Sequence, residues 1–412
     1  MDKMADVLGR AGAWCGQNKY LSAIKNAFQN FMPLTIAGAI GVLWCNVLVN
    51  ESTGLGIFFK PIMALEFLNP AFQAVNFCTI SCITVGITLG IAQEIGVWNM
   101  GAEKAGYIPG LVGLAAWLSV TNTSHMVEGA KEAFTGIAGN ELGATGLFTG
   151  MIIGVLSVEL FCFFEKQDAL KIKMPEQVPP GVARAFEVLV PATITLIITA
   201  CIGSACYNLT GLYLNDVIKN GIQGPLGAVG ATIPGVMIIY LVIMLFWLVG
   251  IHGNNMLSAV KEALFTPLAL ENVEKFNKGE KPTNIINMYA LQMWGEFGGS
   301  GVTIGLVIAI MIFGKREDNK AIATLSLVPG LFNINETVTF GVPMVLNPIL
   351  GIPFVVAPLI TIIIGYVLTV IGFCPVACLT VPWTTPPIVF GFLACGANVM
   401  GAVTQAILIV VS

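Results

Sequence analysis

Between Ala321 and Ser412 the chain carries one charged side chain, Glu336, and all 19 of its Lys and Arg residues lie at or before Lys320. A stretch that long without charge cannot coat a water-soluble surface, so the fold it can adopt is one that lipid, rather than water, surrounds. The rest of the chain agrees. Only 10% of the 412 residues are Asp, Glu, Lys or Arg, 56% are hydrophobic, and mean hydropathy is +0.84, whereas soluble domains are about 25% charged. The two or three soluble domains that the length alone would suggest are excluded, and an all-α polytopic membrane protein is predicted.

The formal charge of −4 is small and dispersed, which gives no reason to expect a nucleic-acid partner. Nine of the ten cysteines sit in apolar runs and Cys15 in an amphipathic one; they read as small apolar fillers. There is no phosphate loop of the G-x-x-x-x-G-K-[ST] type, no H-E-x-x-H and no histidine-rich segment, so neither a cofactor nor a metal is expected. Any phosphoryl group used here must come from another protein. Asp2, Lys3, Asp6 and Arg10 interrupt the start too often for a signal peptide.

Residues 1–28 alternate apolar and polar positions at helical spacing, as a helix lying on the membrane surface would. Lys19 and Lys25 beside the first apolar run place the N-terminus in the cytoplasm by the positive-inside rule. Spans are predicted at about 29–49, 74–95, 104–121, 143–165 and 188–209. Lys60, Pro61 and Glu66 mark 51–70 as a surface helix, and Lys166, Lys171, Lys173 and Arg184 mark the loop after the fourth span as cytoplasmic. A further span ends in Trp247-Leu-Val-Gly-Ile-His252, and a passage hidden between His252 and Glu296 is needed if Lys315-Arg316 is also cytoplasmic. Beyond Lys320, Pro329, Asn333, Asn335, Pro348, Pro353, Pro358, Pro375, Pro382, Pro386 and Pro387 interrupt the apolar sequence. Freed backbone groups must then find partners within protein or a wet cavity, the arrangement that builds midplane substrate sites in transporters. About ten transmembrane helices are expected, with re-entrant hairpins and amphipathic surface helices. Residues 1–227 and 228–412 form two halves of different role.

The chemistry-bearing candidates fall in the second half. Glu336 in Asn333-Ile-Asn335-Glu336-Thr337 must line a cavity or hold a partner, because a carboxylate in hydrocarbon costs about 2.5 kcal/mol or more. Asn333, Asn335 and Thr337 surround it with neutral donors and acceptors suited to sugar hydroxyls. His252 lies in a polar cluster with Gly253 and Asn254, where glycine lets backbone approach a ligand. Trp247 and Trp383 are candidate platforms for a pyranose face, Trp383 the better because it lies in broken backbone. Glu296, at the end of an apolar run, completes the set.

With Gly250-Ile-His252-Gly253 and Asn335-Glu336-Thr337 in place, the chain resembles the membrane-spanning IIC component of bacterial sugar phosphotransferase systems, in the lactose, cellobiose and N,N′-diacetylchitobiose branch. The N-terminal surface helix followed by Asn30-Phe-Met-Pro33-Leu and the late Pro382-Trp383-Thr384 extend the likeness over nearly the whole chain. The resemblance implies ten spans with two re-entrant hairpins, a homodimer built through the N-terminal half, and a sugar held in the C-terminal half. It makes Glu336 and His252 the catalytic pair, contacting the hydroxyl that becomes phosphorylated. The donor it implies is a phosphocysteine of a IIB protein. No cysteine lies in a charged segment after the last apolar run, so that donor is expected on a separate chain.

The expected function is therefore a permease of the bacterial inner membrane. It takes up a β-linked disaccharide, diacetylchitobiose or cellobiose, and presents its C6 hydroxyl to phosphorylated IIB. The alternative is an ion-coupled secondary transporter with Glu336 as the proton site.

Overall fold

An uncharged run surrounded by lipid folds as helix because each amide must then bond within its own segment. The computed structural model follows this rule along the chain. It describes all residues except Met1, 52–55, 57, 126–133, 176, 343 and 346, and for 2–5, 228, 229 and 348 only the backbone. Four of its helices are long and apolar enough to cross a membrane: Lys19–Leu48, Ala144–Glu165, Pro180–Thr210 and Ile349–Val370. A fifth is a pair, Lys60–Ser81 and Ile83–Met100, bent by 42°. Shorter apolar helices run over Ile108–Val120, Ile233–Leu248, Ile304–Phe313 and Val399–Val411. Among the described residues the only β-structure is a two-residue ladder pairing Ser124–His125 with Phe134–Thr135.

Three boundaries differ from the sequence reading. The N-terminal helix stops at Gln17, because the Asn18 side chain accepts from the amides of Tyr20 and Leu21 and starts a new helix at Lys19. The segment expected as a separate surface helix at 51–70 instead runs on as Lys60–Leu68 into Asn69–Asn76; Pro61 sits in its first turn, where a missing amide costs nothing. Pro353 and Pro358 do not break their segment, which is one helix from Pro348 to Val370. Asn347 caps it through the amides of Ile349 and Leu350.

The chain forms two compact units. One comprises Asn18–Leu34 and Phe77–Leu226. Its helices meet around buried Trp117, Ala116, Val120 and Ile153, and they approach closely: a Cβ at Gly150 would lie 2.2 Å from Thr88 Oγ1, the small-residue packing expected where no hydrophobic effect drives helices together. Several charges at helix ends are paired. Lys19 Nζ is 2.6 Å from Glu159 Oε1, and buried Glu165 takes both Lys104 at 2.9 Å and Arg184 at 3.0 Å.

The other unit comprises Met1–Gln17, Thr35–Asn76 and Gly227–Ser412. Its core joins Ile243, Met244, Trp247, Val307, Val338 and Phe354. The N-terminal helix belongs to this unit and lays Gly12 against Ile251 and Phe246. Backbone leaves helical form around Phe332–Asn335, through Gly372–Ile388 and at Cys395–Asn398, which brings three loops of the polar, proline-rich sequence into one unit.

Candidate functional site

The Ile233–Leu248 helix ends at the polar Gly250–Asn255 cluster, and the chain restarts as the short helix Gly253–Met256. His252 is its N-cap. Its Nδ1 accepts from the Asn255 amide at 3.3 Å, so the neutral imidazole carries its proton on Nε2. That nitrogen lies 3.7 Å from Glu336 Oε1. The two side chains remain 38% and 46% exposed, so a ligand can reach them. Two groups at this separation can bond one hydroxyl oxygen simultaneously, since O–H···O and N–H···O bonds are about 2.7 to 3.0 Å long.

The turn bearing His252 is seated by Gly253. A Cβ there would come within 2.0 Å of the Ile243 carbonyl oxygen, so no larger residue allows the turn to fold back on the preceding helix. Asn254 is held at both ends of its amide. Its Nδ2 donates to Ser300 Oγ at 2.8 Å and its Oδ1 accepts from Lys261 Nζ at 3.3 Å. Asn335, 3% exposed, donates to the Ser300 carbonyl. His252, Gly253, Asn254, Ser300, Asn335 and Glu336 therefore lie along one path of covalent and hydrogen-bonded links, which runs from His252 round to Glu336 and holds the two candidates on opposite sides of a 3.7 Å gap.

Asn333 is the second brace. Its Oδ1 accepts from the Gly298 amide at 2.6 Å, and its Nδ2 donates to the carbonyls of Trp383 and Thr385. Its φ of +63° is one that asparagine, among residues with a Cβ, adopts most readily. Trp383 is thus tied by its backbone to the segment leading into Glu336, while the residue as a whole is 45% exposed. Trp247 differs: it is 1% exposed, its ring tilted against His252 with centroids 4.4 Å apart. It forms a wall behind the imidazole, and its indole N–H has no partner among the described residues. Thr337 is exposed in the first turn of the Glu336–Gly341 helix.

Glu296 does not stand alone. Its Oε1 accepts from Tyr240 OH at 2.6 Å and from Lys261 Nζ. Lys261 and Tyr240, together with Ser300, were not singled out from the sequence. A signal existed: Lys261, Phe265, Ala269 and Asn272 share one helical face, and all four are buried. A lysine on a buried face requires a carboxylate, and Glu296 supplies it. Among the described residues no three His, Cys, Asp or Glu side chains converge as metal ligands. The site is a set of amide and hydroxyl groups around one carboxylate–imidazole pair, with the Glu296–Lys261 ion pair beside it.

The sequence profile of the family described as "Phosphotransferase system, EIIC" matches residues 25–358. The oligo-beta-mannoside-specific EIIC component of Bacillus subtilis (strain 168) is 32% identical over 98% of this chain and 90% of its own length. The cellobiose-specific EIIC component of Lactococcus lactis subsp. lactis (strain IL1403) is 30% identical over 95% and 91%. Among solved structures, the crystal structure of ChbC, the IIC component of the N,N′-diacetylchitobiose-specific phosphotransferase system, superimposes with a TM-score of 0.87 at 29% identity, covering 96% of this chain and 91% of that one.

Proposed function

This chain belongs to the EIIC family of the phosphotransferase system, and on that premise we propose that it admits a β-linked disaccharide and presents its C6 hydroxyl for phosphorylation by a separate IIB protein. That it is a sugar-specific IIC permease of the cellobiose, chitobiose and lactose group follows from the family and its relatives. The choice of cellobiose or N,N′-diacetylchitobiose rests on the names of those relatives.

The observation that carries the mechanism is the 3.7 Å approach of His252 Nε2 to Glu336 Oε1. The substrate hydroxyl sits between them, His252 donating to its oxygen and Glu336 accepting its hydrogen. Oxygen O6 attacks the phosphorus of the IIB phosphocysteine as Glu336 takes the proton. The P–S bond breaks and the thiolate leaves with IIB. Positioning the hydroxyl and accepting its proton are ordinary contributions to such a transfer. Asn254, Asn335 and Asn333 hold the loops, Gly253 seats the His252 turn, Thr337 and Glu296 address further hydroxyls, and Trp383 offers its open ring to the pyranose face with Trp247 behind the imidazole.

The same reading places the protein in the bacterial inner membrane with its N-terminus cytoplasmic, since Lys19 and Lys25 adjoin the first span. It makes the protein a homodimer joined mainly through residues 1–227, with sugar held by 228–412. Vesicles containing the protein test it. Phosphorylated sugar should accumulate only when phospho-IIB is supplied, whereas uphill accumulation of unmodified sugar driven by a pH gradient would instead support an ion-coupled transporter.

A further inference from the structure

The Lys19–Leu48 helix does not end in regular α form. Its last turn, Trp44–Leu48, is widened into a π-turn, a distortion that recurs at functional sites. The widened turn faces the Lys60–Leu68 and Asn69–Asn76 segments across a cleft of about 400 Å³, a volume within the range of small-molecule sites. The two walls are clamped together. Trp44 stacks on Phe72 with centroids 4.2 Å apart and 11° between planes, and its indole N–H donates to Asn69 Oδ1 at 3.0 Å.

The lining is unusual for a protein pocket, which is mostly apolar with few polar groups. Here Asn46, Asn50, Glu51, Glu66, Asn69 and Gln73 line the cleft, and among the described residues none that lines it is Lys, Arg or His. Among the described residues, no protein group pairs with the carboxylates of Glu51 and Glu66 or with the Gln73 carboxamide. With Asn69 Oδ1 engaged by Trp44, its amide nitrogen is left to donate. Asn46 and Asn50 spend their amides on Val42, Asn277 and Cys45, so the Asn69 and Gln73 carboxamides are the donors, and these beside carboxylates that accept match a polyhydroxylated neutral molecule. A cation alone would leave most of the volume unfilled, and a phosphate ester would meet two like charges with no counter-ion.

The position of the cleft is fixed as well. It lies at the end of the first span remote from Lys19 and Lys25, and Asn46 donates to Asn277 Oδ1 at 3.1 Å, so the turn after the Ser258–Asn277 helix is on the same side. With the N-terminus cytoplasmic, that side is extracytoplasmic. We propose that this cleft is a second saccharide site, an outer docking position that takes the unphosphorylated sugar and rejects the phosphorylated product. It rests on the sugar-permease reading above, and it assigns a function to residues far in sequence from His252 and Glu336.

Equilibrium dialysis of radiolabelled cellobiose and N,N′-diacetylchitobiose against the full chain in lipid nanodiscs tests it. Two sites per chain are expected. The pair His252→Ala with Glu336→Gln should abolish or weaken one and leave the other. Adding Glu66→Ala and Gln73→Ala, both exposed and outside the core, should remove the second. Alone, those two changes should raise the KM for uptake about tenfold or more, the loss of one hydrogen bond to a carboxylate and one to a carboxamide. A single site that the cleft changes do not affect overturns the cleft and leaves the permease reading standing. So does binding of Ca²⁺ at the cleft with no saccharide bound there. No saccharide binding to the unaltered chain overturns both.

Discussion

The ammonium of Lys261 rests against the carboxylate of Glu296, with their side chains only 7% and 16% exposed. Tyr240 bonds the same carboxylate oxygen, and Asn254 bonds the same ammonium. Removing one partner of a buried pair strands the other, at a cost of about 3 to 5 kcal/mol. Lys261→Met is therefore expected to lower the unfolding temperature in detergent well beyond Glu296→Gln combined with Lys261→Met, in which no unpaired charge remains. Equal destabilisation by the single and double changes would show that the pair does not act as one.

Gly253→Ala tests how the His252 turn is seated. The added carbon would lie 2.0 Å from the Ile243 carbonyl oxygen, backbone that cannot swing aside as a side chain would. The turn must shift, carrying His252 away from Glu336. Sugar affinity measured by equilibrium binding is expected to fall at least tenfold, the order of about 1.4 kcal/mol or more. Unchanged affinity would mean that the 252–254 turn does not shape the site.

Asn333 separates hydrogen bonding from backbone conformation. Asn333→Gly keeps a residue at ease with φ +63° but removes three hydrogen bonds, each a net contribution of about 0.5 to 1.5 kcal/mol. Asn333→Ala removes the same bonds and adds about 1 to 2 kcal/mol for the left-handed backbone. Thermal unfolding should rank the native chain above Gly and Gly above Ala. Tryptophan emission should also shift in both, because the Trp383 backbone loses its tether. Equal stability of all three would remove Asn333 from the list of braces.

The helical membrane architecture was legible because it depends on the absence of charge, which composition displays directly. The candidate pair was legible for the same reason: Glu336 is conspicuous in an uncharged segment, and His252 is one of two histidines. What could not be read was how the polar groups divide their bonds. Asn333 and Asn335 appear in sequence as hydroxyl-binding groups flanking Glu336, and in the structure their amides also hold the Gly298, Ser300, Trp383 and Thr385 backbone. Ser300 offers no sequence signal at all, since its role depends on a hydroxyl and a carbonyl meeting two asparagines from different segments. Proline misled at Pro353 and Pro358, where tertiary surroundings outweigh local propensity and the helix continues.

The central claim is that Glu336 takes the proton of the hydroxyl being phosphorylated, and Glu336→Gln addresses it most directly. The amide keeps the shape and a hydrogen-bonding group but loses the charge and the base. Sugar binding should weaken by about 1.5 to 3 kcal/mol, the range for hydrogen bonds to charged groups. The single-turnover rate of phosphoryl transfer from phospho-IIB to bound sugar should fall further, by about 10² to 10⁴. That rate, measured at saturating sugar so that weakened binding does not enter, is the deciding quantity. A drop of this size with sugar still bound is the predicted result; transfer at the native rate would make Glu336 a structural residue and contradict the mechanism.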